Sequence, residues 1–200
     1  MTRRPALPRA FYARPTLEVL DDLIGMVLVH AAEAGLTAGA IVEAEAYIGE
    51  DDPACHAAPG PTARNAPLYG PPGLAYVYLN YGLHHLVNAV TEAEGRPAAV
   101  LIRALAPIDG IDLMRRRRTV RRPAATLLDD RLCRGPGNLT VAMGIDLRHN
   151  RADLAGGPLW IEDRGLTRGP RVYSPRIGIR VGTDRLWRCS WQGHPAVSGR

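Results

Sequence analysis

IVEAEAYIG, residues 41–49, alternates along its length in a way that sets the terms for the rest of the chain. With a period of two, Val42, Ala44, Ala46 and Ile48 fall on one face of a strand, and Glu43, Glu45 and Tyr47 on the other. Carboxylates two residues apart on one strand face stand roughly 6.5 to 7 Å from each other, close enough to interact without touching. Two readings follow. The acids are salt-bridged or exposed on an edge strand, or they enter a largely apolar site. In such a site burial and mutual repulsion raise their pKa values and suit them to general acid or base work.

Outward from that strand the chain is punctuated by Pro and Gly but shows no repeat and no low-complexity linker. TLEVLDDLIGMVLV, residues 16–29, has helical apolar spacing running into a strand. The segment 49–73 is a long loop, a place where function concentrates, and carries His56, Arg64 and Asn65. LAYVYLNYGLHHLVNAV, residues 74–90, reads as a hairpin. Tyr76 and Tyr78 share a face of its first strand, His84, Leu86 and Asn88 alternate along its second, and Tyr81 sits at the tip, where an aromatic before glycine projects. AAVLIRALAPI, residues 98–108, reads as a buried strand with Arg103 embedded in it, either as a partner of the acids or as a substrate contact. DGIDLMRRRR is a short helix with an acidic start and a basic end, as the helix dipole favours. GPGN, residues 135–138, reads as a loop before a helix LTVAMGI, and PRIGIRVG and RLWRCSW, joined by TD, as a closing hairpin.

A chain of 200 residues suffices for one domain with a substantial core, with residues 1–14 expected to be a flexible N-terminal segment. No stretch has the length of a signal peptide's apolar core or of a membrane span, so the expected location is the cytosol. Cys55, Cys133 and Cys189 are odd in number and contain no CxxC, which argues for reduced thiols. His56, His84 and His85 with Cys55 do not have common metal-ligand spacing, so no metal or other cofactor is expected. The formal charge is +5, and all 25 basic residues are arginine. A positive protein favours a polyanionic partner. RRRRTVRR, residues 115–122, is either a solvated helix end or mobile loop, or a phosphate contact.

Taken together and in order, VEAEAYIG, DPACH, TARN, AYVYLNYG, Asn88, VLIRALAP and GPGNL resemble the alkyladenine DNA glycosylase family, which includes the 3-methyladenine DNA glycosylases. The resemblance runs from about Leu17 to Val197. It implies an α+β, mixed α/β single domain, with a curved, mainly antiparallel sheet and surrounding helices. The implied activity is that of a monofunctional base-excision enzyme, a monomer acting on double-stranded DNA that contains damaged purines.

Carried over by motif, Glu45 matches the general base and Arg103 a residue holding the water and the flipped nucleotide. Tyr47, His56 and Tyr78 match residues contacting the flipped base, Asn88 a pocket residue that clashes with the exocyclic amine of guanine, and Tyr81 the tyrosine that enters the duplex. Arg64, Asn65 and Asn138 stand as candidate DNA-backbone contacts. The chain departs from the family at His84 and His85, where bulkier aromatic or apolar residues are common, and at Asn138, where lysine is frequent. The competing classes are a noncatalytic module for distorted duplexes, which has no need of Glu45, and a small-nucleoside hydrolase, which has no need of Tyr81.

Overall fold

The structure, a computed structural model, describes residues 4–120 and 127–199. Along the chain it contains α1 (Arg9–Tyr12), α2 (Thr16–Leu23), β1 (Val27–Ala32), β2 (Gly35–Ile48), β3 (Ala75–Asn80), β4 (His84–Val90), β5 (Ala98–Asp109), α3 (Ile111–Thr119), α4 (Pro136–Met143), β6 (Leu159–Glu162), β7 (Arg171–Ser174) and β8 (Arg188–Trp191). The strands form one curled antiparallel sheet in the order β3-β4-β5-β2-β1-β6, with β7 and β8 joining beside β2. Among the described residues no helix is long and apolar enough to cross a membrane.

The spine is β2. One edge pairs with β5, while the other is shared, residues 35–40 with β1 and Glu43 to Glu45 with β8. Glu43 and Glu45 therefore lie in the sheet interior, which excludes the edge-strand reading. Register shifts on either side of Glu43 mark a bulge. The extra residue turns Val42 out of the alternation: it packs with Ala104 and Ala196, while Ile41, Ala44 and Ala46 join the main core. The expected common face of Val42 and Ala44 is thus corrected by a bulge that the sequence pattern does not announce.

The main core fills the space between the sheet and α2, α3 and α4. Val19, Leu20 and Leu23 make the buried stripe of α2, and Leu139, Ala142 and Met143 that of α4. The start of α3 comes so close to β2 that only glycine fits at Gly110, whose φ is 71° and whose absent Cβ would meet the Leu36 carbonyl. Three of the four arginines of α3 work internally, and Arg116 is exposed. Arg115 donates to the Leu127 carbonyl and pairs with Asp129, while Arg117 and Arg118 donate to the Ala142 and Leu132 carbonyls at 3.1 and 2.7 Å. They tie α3 to its neighbours; Arg121 and Arg122 lie outside the described residues.

Three expectations about chain ends and turns change. Leu7 and Tyr12, inside the segment expected to be flexible, are buried, because each has an apolar side chain with a place in the core and Ala6 bridges to Glu162. The GPGN stretch is not a loop ahead of its helix: α4 starts at Pro136, a favoured first position because proline lacks the N–H that would go unpaired there. Finally, PRIGIRVG forms no strand. RCSW pairs instead with β7 and β2, and residues 175–187 run as a loop whose polar groups are used elsewhere, as the site makes clear.

Candidate active site

A cavity of about 390 Å³ opens between β2, β3, β4, β5, the 49–73 loop and the 175–187 loop. That is the size of a small-molecule site. Its wall is aromatic. His56 lies edge-on to Tyr78 at 4.5 Å between centroids and to Tyr76 at 5.9 Å, and the two tyrosine rings are 5.2 Å apart. The period-two face read for β3 is the reason Tyr76 and Tyr78 arrive side by side. His56 Nδ1 is 2.9 Å from the Tyr76 hydroxyl. Burial, and then the Arg64 charge, push the imidazole below its usual pKa, so it is neutral near pH 7.

Asn88 faces Tyr76 across the β3–β4 pair and donates Nδ2 to the Tyr76 carbonyl at 2.9 Å, which fixes the amide and leaves Oδ1 uncommitted at the wall. Tyr47 completes the enclosure, backed by the Arg176 guanidinium 4.6 Å from its ring centroid.

Behind this wall lies a cluster of four charges. Arg103, on β5, donates Nε to Glu43 Oε1 at 2.8 Å and a terminal nitrogen to Glu45 Oε2 at 3.2 Å. Of the two alternatives read for this arginine, the pairing with the acids is the one the geometry shows, and Arg103 also forms part of the cavity wall, where a substrate contact is open to it. Glu43 is saturated: Oε1 also accepts from Arg188 Nε and the Ser198 hydroxyl at 2.8 Å each, and Oε2 from the Ser198 N–H at 2.7 Å. Burial pushes its carboxyl up, but Arg103, Ser198 and Arg188 outweigh burial and hold it below the usual range.

Glu45 is equally buried and less compensated. Its Oε1 accepts from the Ile177 N–H at 2.7 Å, and Oε2 from the Tyr47 hydroxyl at 2.9 Å and Arg103. Burial is the largest influence and the donors only partly oppose it, so the carboxyl sits above the ordinary value, with Glu43 adding to the rise. Two carboxylates on one strand face are thereby driven apart, one a fixed anion and the other poised to take a proton. Glu45 is not itself part of the cavity wall. It stands directly behind Tyr47, Arg103 and Ile177, three wall residues that bond to it.

At the rim the β3–β4 turn presents Tyr81, 86% exposed, with φ at +49°. Gly82 follows at +68°, and the Leu83 N–H closes the turn on the Asn80 carbonyl at 3.0 Å. A bulky residue in the left-handed region is strained, and strain of this kind clusters at functional sites. The hairpin is braced by α4: Thr140 donates to the His85 carbonyl at 2.7 Å, and Gly137 lies so close to His84 that a Cβ there would be 2.8 Å from Cγ. The His84 ring and the His85 backbone carbonyl thus seat the hairpin on this helix.

Of the candidate backbone contacts, Arg64 is exposed beside Tyr78 and donates to the Leu79 carbonyl, and Asn138 is exposed on the first turn of α4. Asn65 is buried. Its side chain accepts from the Thr62 N–H and donates to the His56 and Gly60 carbonyls, so it braces the loop and is not available to a phosphate. The sequence reading missed Tyr76 as a wall residue, Ile177, Arg188 and Ser198 as partners of the acids, and Arg176 as the support behind Tyr47. For the last four no sequence signal existed, since each meets its partner across more than 120 positions.

Comparison with known proteins fits this geometry. The model of the methylpurine-DNA glycosylase family matches residues 10–195. Similar proteins, each named "Putative 3-methyladenine DNA glycosylase", occur in Methanocella arvoryzae at 49% identity (98% of this chain, 97% of the relative), Chlorobium phaeobacteroides at 47% (95% and 94%) and Chlorobaculum tepidum at 43% (94% and 88%). With a match this long, joined to relatives this similar over nearly their full length, the chain belongs to the methylpurine-DNA glycosylase family.

Proposed function

We propose that the protein is a DNA-repair glycosylase that takes a damaged purine out of duplex DNA and hydrolyses its N-glycosidic bond. The observation that carries this reading is a carboxylate of raised pKa placed directly behind an aromatic-walled cavity, with a strained, exposed tyrosine at the same rim. A buried base must leave the stack before its sugar bond can be reached, at a cost of a few kcal/mol. Tyr81 offsets that cost by filling the gap, and the Tyr47, His56 and Tyr78 rings receive the extruded base. The fixed amide of Asn88 bounds the pocket against purines whose exocyclic amine collides with it.

In the chemical step the bond between the sugar C1′ and the base nitrogen breaks, and its electron pair leaves with the base. A purine made cationic by alkylation departs neutral, whereas a neutral lesion such as hypoxanthine departs with the electron pair and takes up a proton from solvent. Positive charge builds on the sugar, as in glycoside hydrolysis, and the Glu45 carboxylate stabilises it. Glu45 then accepts a proton from the water whose oxygen bonds to C1′. Its Oε2 becomes free for that water when the bound base engages Tyr47, while Arg103 stays on the same oxygen and orients the pair.

The chain has no lysine, so no side-chain amine is present to form a Schiff base with the opened sugar, and arginine stays protonated. The reading is therefore of a monofunctional enzyme, acting as a monomer in the cytosol or nucleoid. The test is incubation with duplex DNA carrying 3-methyladenine or hypoxanthine, scoring free base, strand breaks and borohydride-trapped adducts. Free base with an intact abasic strand is expected. Absence of base release would overturn the glycosylase reading in favour of a binding module, and a trapped adduct would overturn the monofunctional one.

A further inference from the structure

The least expected feature near the site is an ion pair with no solvent exposure on either side chain, Arg176 with Asp52. It is bidentate, with guanidinium nitrogens 2.5 Å from Asp52 Oδ2 and 2.8 Å from Oδ1. Asp52 also accepts the N–H groups of Ile48 and Ala54, which fixes it between the end of β2 and the start of the 49–73 loop. Arg176 also donates to the Ala46 carbonyl at 3.0 Å and lies over the rings of Tyr47 and Trp187, at 4.6 and 5.2 Å. Its Nε is buried without a partner.

Two apolar side chains of the same volume would serve a core at least as well as such a pair. What they would lack is direction. A planar fork gripped by a carboxylate has one orientation, and the residue after it is then placed to within a bond length. That next residue is Ile177, whose N–H reaches Glu45 Oε1.

We propose that Arg176, locked by Asp52, is a positioning residue for the reaction: it pins the Ile177 N–H on Glu45 Oε1 and backs the Tyr47 ring, so that the Glu45 carboxylate is held in one orientation towards the cavity. The far end of the loop 175–187 is tied by the Trp187 carbonyl to the Ala46 N–H and by Arg185 to the Asp51 carbonyl, and this pair anchors the near end beside Ile177. The inference rests on Glu45 being the base.

The test compares wild type with Arg176→Met/Asp52→Leu, which removes both charges together and leaves neither stranded, and with Asp52→Asn, which keeps the shape and one acceptor. The measurements are a melt, binding to lesion duplex, and the single-turnover excision rate against pH. Expected for the folded double variant are duplex affinity within about threefold of wild type and a rate lower by about tenfold to a hundredfold, the cost of a misplaced reacting group. The acidic limb of its pH profile should move to higher pH, since a carboxylate that loses an N–H donor is harder to ionise. Asp52→Asn should shift in the same direction by less.

A folded double variant with an unmoved limb and a rate within about threefold of wild type would overturn the proposal. So would failure of both variants to fold, which would assign the pair to stability alone. Wild-type excision that survives Glu45→Gln would instead remove the base on which this inference stands, separating the two failures.

Discussion

Replacing Tyr81 by asparagine should move stability and activity in opposite directions. Tyr81 and Gly82 both hold positive φ, at 49° and 68°, in a turn closed from Leu83 to Asn80, the pattern of a type I′ turn, for which Asn-Gly is the favoured pair. An ordinary L-residue in the left-handed region costs about 1–2 kcal/mol, and asparagine escapes most of it. With 86% of Tyr81 exposed, its removal forfeits little burial. The net expectation is a gain of about 1 kcal/mol, or an increase in melting temperature of about 2–4 °C for a chain of this size. If Tyr81 enters the duplex as proposed, the same change removes a stacking aromatic worth about 1–3 kcal/mol, so excision of a well-paired lesion should fall by about five- to 150-fold. For a mismatched lesion, already poorly stacked, the loss should be smaller. Calorimetry and single-turnover excision on the two duplexes make the measurement. A variant that melts below wild type, or loses equally on both substrates, would refute the strained-wedge reasoning.

Arg103→Met should leave Glu43 and Glu45 buried without their shared cation, costing about 3–5 kcal/mol, which a melt would show as a fall of roughly 6–20 °C; a fall of only a degree or two would mean that Arg188 and Ser198 suffice for Glu43, and Ile177 and Tyr47 for Glu45. Base release should rise with pH through a single limb as Glu45 loses its proton. Because burial holds that carboxyl above the 4.5 of a free glutamate, the limb should lie above that value, and a rate already flat at pH 4.5 would contradict the assignment.

Much of this architecture is visible in the residues because alternation is visible. β2, β3 and β4 show their period-two faces plainly, β5 reads as a buried run with Arg103 embedded in it, and the hairpin tip at Tyr81 follows from LNYG. Where the sequence misleads, a backbone group has a partner that pattern cannot reveal. Ile177, Ile179 and Val181 alternate like a strand, yet the Ile177 N–H serves Glu45, and Ile177 and Ile179 line the cavity. Val42 changes sides because of a bulge next to Glu43. The chemistry of the two acids was legible as a pair but not as a division of labour. Glu43 becomes the fixed anion only because Arg188 and Ser198, distant in sequence, close on it. Asn65 looks like a surface polar residue of a loop, and burial alone shows it to be that loop's internal brace.

The central claim is that Glu45 takes the proton of the attacking water, and Glu45→Gln tests it most directly. The amide keeps the size of the side chain and an acceptor for Ile177 but cannot act as a base. Measured in single turnover on duplex carrying 3-methyladenine or hypoxanthine, base release should be abolished while lesion-duplex binding stays within several-fold of wild type. Near-wild-type release by this variant would contradict the account and turn attention to Glu43.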